Sequence, residues 1–261
     1  MKHCSNKYTV VIPTLGRWKY LADLLPTVLS QTVPPKEVLI LLDPKDTYND
    51  GELLAFKQNF LSSESKITVI HTNRNLAGKR NLGVELSSTD YIFFSDDDDI
   101  WHSDKAAQCL KELKEYAVVT HNFSKFGDVN KVQCSFLGVY DTDITLSARL
   151  PGDNVYGGGS SIAARRSVLV NFLFKTDLAY CEDLDWWLRI IADNIVIRYI
   201  GSDLVSYRSH SSNMTTRKFL IFRYTLLVAW QLSLASPLML ILCTKIIFRA
   251  TAKFVYKSML L

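Results

Sequence analysis

Short, continuous apolar runs rich in β-branched residues recur along the chain at Thr9 to Ile12, Glu37 to Leu42, Lys66 to His71, Asp90 to Phe94, Ala117 to Thr120 and Ile195 to Ile200. Runs of this length without polar alternation predict strands buried on both faces. Between the first two lies RWKYLADLLPTVLSQ, in which Trp18, Leu21, Leu24, Leu25, Val28 and Leu29 keep helical spacing and Pro26 predicts a kink. AGKRNLGVELSS predicts a second short helix before the fourth run. Ser103 is placed to cap a third over DKAAQCLKELKEY, with Ala106, Leu110 and Leu113 on one face. Strand and helix alternating in this way predict an α/β sheet whose ligands sit at the carboxyl ends of the strands. The second half is less regular: strand-like VQCSFLGVY within Asn122 to Leu150, glycines at Gly157 to Gly159, a helix over CEDLDWWLRIIADN and a strand over Leu204 to Arg208. Irregular stretches carrying Gly, Asp and aromatic residues form binding surfaces more often than cores.

With 48% apolar and 21% charged residues, the 261-residue chain has material for one large domain, or one domain and a tail, and is neither disordered nor a disulfide-knit miniprotein. Its formal net charge of +4 is unevenly spread. After Asp203 there is no acidic residue and there are eight basic ones, Arg208, Arg217, Lys218, Arg223, Lys245, Arg249, Lys253 and Lys257, which leaves the preceding part at −4. Basic character confined to a hydrophobic tail points to an anionic membrane surface and away from nucleic acid. Between Arg223 and Lys245 lie 21 residues without a charge, long enough to span a bilayer. Farther on, Lys245, Arg249, Lys253 and Lys257 recur every fourth residue with Phe248, Val255 and Leu260 among them, the pattern of an interfacial helix. Packing of the tail onto the body is the alternative. The five cysteines are dispersed, with no CxxC pair, and suggest neither disulfides nor zinc. The N-terminus enters a strand too soon for a signal-peptide core, so the body is expected in the cytoplasm.

The segment DYIFFSDDDDIW runs a buried strand straight into Asp96, Asp97, Asp98 and Asp99. Adjacent carboxylates repel one another unless a cation compensates them, and oxygen ligands at this density suit Mg²⁺ or Mn²⁺. A solvated acidic turn ahead of the helix near Ser103 is the alternative, but the position at a strand's carboxyl end favours the ligand reading.

Four segments then occur together in order: VVIPTLGR (Val10 to Arg17), a strand ending LLD at Asp43, NLAGKRNLGVELSSTDYIFFSDDDDIW (Asn75 to Trp101) and CEDLDWWLR (Cys181 to Arg189). On these the chain resembles the family 2 glycosyltransferases with the GT-A fold, the inverting type of bacterial cell-surface polysaccharide assembly. The resemblance implies a Rossmann-like nucleotide-binding sheet with an acceptor-binding half over residues 1–215, and composition and charge place a basic, hydrophobic, membrane-associating helical tail over residues 216–261. It implies that Pro13, Thr14 and Arg17 line the nucleotide, that Asp43 contacts the base, and that Arg80 approaches the nucleotide or its diphosphate. Asp96 would lie near the ribose and Asp98 would hold Mn²⁺ or Mg²⁺. Because position 97 is also acidic, Asp97 joins the nucleotide-side residues and the register can shift by one. His210 resembles a histidine that some members use near the metal and diphosphate. Glu182 and Asp183 look like the family's Glu-Asp pair, whose Asp is the general base.

Carboxylates at a helix start are held as anions by the dipole, which suits a proton acceptor, although capping alone also explains them. Displacing a nucleoside diphosphate by a hydroxyl requires proton removal opposite the leaving group, while positive charge neutralises the diphosphate. One base, one metal and no covalent step imply inversion. Gly158, Gly159, Asp185 and Trp186 are expected on the acceptor side. No P-loop lysine follows the glycines, which excludes an ATPase, and the Gln-x-x-Arg-Trp of processive synthases is absent. The expected reaction moves one sugar from a nucleotide sugar, with uridine as the nucleoside, to a lipid-linked saccharide at the cytoplasmic face of the inner membrane. The enzyme would be peripheral or tail-anchored there. Two other readings compete. A sugar-nucleotide pyrophosphorylase would want a better glycine-lysine loop than TLGRWKY, and an inactive membrane-bound cation- or nucleotide-binding protein would have no use for Glu182 and Asp183.

Overall fold

The computed structural model describes residues 7–44, 64–128, 132–134, 140–145, 158–211 and 213–258. Four parallel strands, β1 (Tyr8–Pro13), β2 (Glu37–Leu42), β3 (Lys66–His71) and β4 (Tyr91–Phe94), stand in the order β3-β2-β1-β4, with Thr9 opposite Glu37 and Val10 opposite Phe93. Helix α1 (Trp18–Leu29) leads from β1 to β2, and α2 (Leu76–Leu86) from β3 to β4. The two-residue period of the strands divides the core between two faces. Val10 and Ile12 pack with Leu21, Leu24, Leu25 and Val28 of α1, while Val11 packs with Ala77 and Val84 of α2. The continuous apolar runs are buried as predicted except in β3, an edge strand that is only half-buried. Gly83 lets α2 lie directly on β1, because a Cβ there would fall 2.3 Å from a methyl of Val11. That seating brings Lys79 and Arg80 to the carboxyl end of β1, where Lys79 Nζ donates to the Thr14 carbonyl at 2.7 Å.

The second half continues with β5 (Ile100–Trp101), α3 (Lys105–Glu112), β6 (Val118–Gly127), β7 (Val132–Cys134), β8 (Thr142–Ile144), β9 (Ala163–Arg165), α4 (Arg166–Asn171), α5 (Glu182–Ala192) and β10 (Ile197–Ser209). Strand β9 inserts antiparallel between β4 and β6, and β10 runs parallel to β6, so the sheet is mixed. β10 joins two predicted strands, absorbing Leu204 to Arg208 through an irregular register between Ile200 and Val205. Of VQCSFLGVY, β7 and Tyr140 lie within the described residues. Helix α3 starts later than the Ser103 cap predicted: Asp104 precedes it, and the Ser103 carbonyl instead accepts from Thr32 N–H at 2.9 Å. Pro26 stays inside α1, removing one donor without ending the helix.

The tail narrows an open expectation. Its uncharged stretch is divided between α6 (Lys218–Ser233) and α7 (Pro237–Ser258), with Pro237 opening the second helix, a position where its missing N–H costs nothing. The two fold back on each other, so that Phe222 stacks on Phe254 with ring centroids 4.6 Å apart. Among the described residues no helix is long and apolar enough to cross a membrane. Val228, Ala229, Leu232, Met239, Leu242 and Ile246 pack against Leu184 and Leu188 of α5. The opposite side of this hairpin leaves Trp230, Leu234 and Phe248 exposed.

Candidate active site

The carboxyl ends of β1, β2 and β4 meet on one rim. Thr14 N–H donates to Leu41 O at 2.9 Å and Ser95 N–H to Val11 O at 3.0 Å, which sets buried Pro13 and Thr14 beside half-buried Asp43 and the Asp96 to Asp99 turn. The four aspartates then part company. Asp97 accepts from Thr14 Oγ1 at 2.5 Å and is paired with Arg17 through both oxygens. Asp98 Oδ2 lies 2.8 Å from Arg17 Nη1 and 2.9 Å from His210 Nε2. Asp99 is buried and accepts from Ser160 Oγ at 2.5 Å and Arg208 N–H at 3.1 Å. Asp96 receives Arg80 Nη2 at 3.0 Å and keeps the most exposed side chain of those paired, 27%.

Charge compensation for these acids therefore comes largely from within the chain. Burial opposes the Arg17 charge, but Asp97, Asp98 and Asp96 outweigh it and raise its pKa. Burial, and then Asp96, raise the Asp98 carboxyl, with Arg17 pulling the other way. Burial together with Asp96 and Asp98 pushes Asp99 well above the ordinary carboxylate range. Asp97, expected on the nucleotide side, is 1% exposed with both oxygens engaged, and it anchors Arg17 instead.

Arg80 is also placed differently from the expectation. Its guanidinium is buried, with Nη1 2.6 Å from Glu182 Oε1 and Nη2 on Asp96, so both terminal nitrogens already hold carboxylates. Asp96, Asp98 and the Glu182-Asp183 start of α5 are thereby brought to one site. Asp183 is half-buried, its Oδ1 accepting from Leu184 N–H at 2.8 Å. Cys181, just before the helix, has φ 62, uncommon for a residue with a side chain. Its thiol lies 3.7 Å from the Ile221 carbonyl of α6, tying this turn to the tail.

Two acceptor-side expectations fail. Asp185 is fully buried between Lys175 Nζ at 2.8 Å and Arg189 Nε at 2.7 Å. Trp186 is fully buried too, stacked on Phe174 at 5.5 Å with its indole donating to Phe172 O at 2.7 Å. Neither can meet a saccharide, because α5 is packed on two sides by the sheet and the tail hairpin. Gly158 and Gly159 lie against Asp96 and Arg80, nearer the aspartate turn than expected.

Sequence reasoning missed Ser160, Arg208 and Lys105. Ser160 links Asp99 and the Asp96 N–H, and Arg208 Nε donates to the Asp98 carbonyl at 2.8 Å. Lys105 sits buried under this turn, bonding the Ser160 carbonyl. A clue existed: Lys105 stands four residues before Cys109, within the buried stripe of α3.

Among the described residues no group of three or more His, Cys, Asp or Glu converges to hold a metal. Asp98 and His210 carry donors of the kind a divalent cation takes alongside diphosphate oxygens and water, the coordination Mg²⁺ favours and Mn²⁺ accepts, and in this structure Arg17 Nη1 holds both, 2.8 Å from Asp98 Oδ2 and 3.3 Å from His210 Nε2.

A parallel half-sheet extended by an antiparallel insertion, with strand-end aspartates facing a helix-borne Glu-Asp pair, defines an α/β protein of GT-A-like fold. The chain belongs to glycosyl transferase family 2, whose sequence model matches residues 9–169. It is 25% identical over 201 residues to the amylovoran biosynthesis glycosyltransferase AmsB of Erwinia amylovora, covering 74% of this chain and 66% of AmsB. An uncharacterized glycosyltransferase of Rickettsia bellii is 33% identical over 217 residues, 80% of this chain but 30% of that protein. Escherichia coli WfgD, named a UDP-Glc:alpha-D-GlcNAc-diphosphoundecaprenol beta-1,3-glucosyltransferase, is 23% identical over 81% of this chain and 80% of its own. The chain thus spans 66% of the first of these relatives and 30% of the second. Among solved structures, S. aureus TarS 1–349 in complex with UDP-GlcNAc superimposes with a TM-score of 0.67 at 16% identity, over 88% of this chain and 67% of that one.

Proposed function

We propose that this chain is an inverting glycosyltransferase that moves one sugar from a UDP-sugar to a hydroxyl of a lipid-linked saccharide in surface polysaccharide assembly. The observation that carries the reading is the meeting, through Arg80, of the Asp96 to Asp98 turn with the Glu182-Asp183 start of α5. The names of AmsB and WfgD, and the UDP-GlcNAc bound by TarS, support the donor and the pathway class.

In this reading Thr14, Arg17 and Asp43 line the nucleoside and diphosphate, and Asp96 meets the ribose. Asp98 and His210 would hold Mn²⁺ or Mg²⁺, which when bound supplies positive charge for the leaving diphosphate. Asp183, at the positive end of α5, takes the proton of the acceptor hydroxyl. Proton removal on one side and departure on the other, with no covalent step, invert the anomeric carbon.

The tail hairpin supports a membrane-borne acceptor. Trp230, Leu234, Ile241 and Phe248 are exposed beside Arg223, Lys245 and Arg249, with no acid in the segment, a composition suited to an anionic lipid surface. The hairpin packs on α5, so an enzyme lying on the cytoplasmic face of the membrane would hold Asp183 close to a lipid-linked acceptor.

Asp183→Asn tests the base. It keeps shape and hydrogen bonding but cannot take a proton, so turnover should fall by roughly 10²-fold or more while UDP binding changes little. If Glu182→Gln is crippled and Asp183→Asn is not, the assignment is wrong.

A further inference from the structure

We infer that Arg80 is a positioning residue that holds the donor-side Asp96 and the base-side Glu182 in fixed register, and that Gly159 is the opening this bridge requires. The inference rests on the glycosyltransferase reading above and goes beyond it.

The guanidinium is 2% exposed and spans two elements far apart in sequence, with Nη2 on Asp96 after β4 and Nη1 on Glu182 at the start of α5. A planar fork can hold two anions at a set angle, which a single ammonium cannot. Phe174 covers the group from 5.5 Å. The Nε is buried without a hydrogen-bond partner among the described residues, so the two carboxylates, and no third acceptor, fix the orientation. Removing Arg80 would leave buried Glu182 without its counter-ion and free Asp96 to move.

Gly159 lies against the bridge. A Cβ at this position would stand 2.3 Å from Arg80 Nη2 and 2.7 Å from Asp96 Oδ1, closer than any side chain can approach. One methyl group at residue 159 should therefore displace the guanidinium without altering the side chain of the base. Any displacement is felt at both ends, since Asp183 follows Glu182 on the same helix turn and Asp98 follows Asp96 on the same loop.

The test compares wild type, Arg80→Lys, Gly159→Ala, the double variant and Glu182→Gln. UDP affinity is measured by calorimetry with Mn²⁺, turnover on a panel of UDP-, GDP- and dTDP-sugars, and stability in urea. Arg80→Lys should weaken UDP by about tenfold and lower kcat by about 10²-fold together, the size of effect expected when reacting groups are misplaced by about an ångström. Gly159→Ala should reproduce both losses, with the double variant no worse than the poorer single one. Glu182→Gln should lose kcat alone. A loss confined to UDP affinity would make Arg80 a nucleotide ligand, and a lower urea midpoint with both constants intact would make it merely structural. Either result overturns the bridge, as do additive single effects. If Arg80→Lys does not fold, Gly159→Ala carries the same comparison. A wild type that turns over none of the panel refutes the glycosyltransferase reading. The bridge is then judged from the urea cycle, where coupling supports it and additivity overturns it.

Discussion

Replacing Lys105 by methionine should remove a contribution to stability that grows in the wild-type protein as the pH climbs above neutrality. Lys105 is fully buried. Its ammonium donates to the Ser160 carbonyl, lies 3.0 Å from His121 Nε2 and stands 4.1 Å from the centre of the Trp101 ring. His121 donates from Nδ1 to the Asn122 carbonyl at 2.8 Å, which leaves Nε2 as an acceptor, and burial followed by the Lys105 charge keeps the ring neutral. Burial lowers the Lys105 pKa from 10.5 to about 8, with Cys109, Asp99 and Asp96 opposing the shift. Between those two values the unfolded chain still holds the proton that the folded protein has released. The Lys105 contribution to stability must then increase with pH, by about 1.4 kcal/mol per unit and by about 3 kcal/mol over the whole window. The Cys109 thiol, pushed up to about 12 by burial, keeps a proton that the unfolded chain begins to release near pH 9 and so works against this rise, but it does so in both proteins and largely cancels in their difference.

Urea unfolding of both proteins at a series of pH values isolates the term. Between about pH 7 and about pH 9.5 the advantage of wild type over Lys105→Met should grow by about 2 kcal/mol. At the lower pH the comparison is close, because methionine leaves the Ser160 carbonyl unpaired, costing about 1 to 3 kcal/mol, while it removes a desolvated charge. Parallel curves for the two proteins would mean that Lys105 does not titrate in this window and that the pocket under the aspartate turn admits water.

Asp98→Ala should abolish Mn²⁺ binding measured by calorimetry in the presence of UDP and reduce turnover by about 10²-fold or more, and full activity in chelator would refute the metal assignment. Burial raises the Glu37 carboxyl, but hydrogen bonds from Ser88 and Thr9 outweigh it and hold the group below 4.5. Its contribution is therefore present above that value and is lost as pH falls through the lowered folded value. Glu37→Gln should cost about 1 kcal/mol near neutrality and shrink toward zero in acid, and a penalty that persists unchanged in acid would count against it. Replacing Trp230 and Phe248 together by serine, at 66% and 73% exposure, should leave the thermal midpoint in place. The same change should weaken sedimentation with phosphatidylglycerol vesicles by about tenfold or more, and unchanged binding would refute membrane docking through this face.

Much of the sheet was legible because buried parallel strands carry no polar alternation: β2 and β4 fall where their apolar runs predicted, and α1 follows its leucine spacing. The aspartate turn was legible as a cluster, but not in its parts. Which oxygen faces outward depends on Thr14, Arg17 and Ser160, which lie 83, 80 and 61 residues from the aspartates they bind. The tail allowed more than one reading for a related reason, since 21 uncharged residues in a row do not say whether Pro237 opens a second helix that folds back on the first.

The harder cases are charged or aromatic side chains on faces that a single helix pattern cannot assign. Trp186 and Asp185 stand next to the acid pair in sequence, which drew them toward the acceptor, yet α5 is covered on one side by Phe94, Phe174 and Ile162 and on the other by Val228 and Leu242. A helix covered twice has no free face for a saccharide beyond its first turn. Helix α2 shows the converse. Its buried face holds Ala77, Gly78, Lys79, Arg80, Gly83 and Val84, a set too polar and too small to register as a core stripe. Arg80 can be buried there only because Glu182 and Asp96 neutralise it and Gly159 leaves room, and those three residues come from three other segments of the chain. Burying an unpaired guanidinium would cost several kcal/mol, so the face that looks solvent-exposed in sequence becomes internal once the partners arrive. The positions where local pattern and final burial disagree most are thus the ones where the two halves of the site are joined.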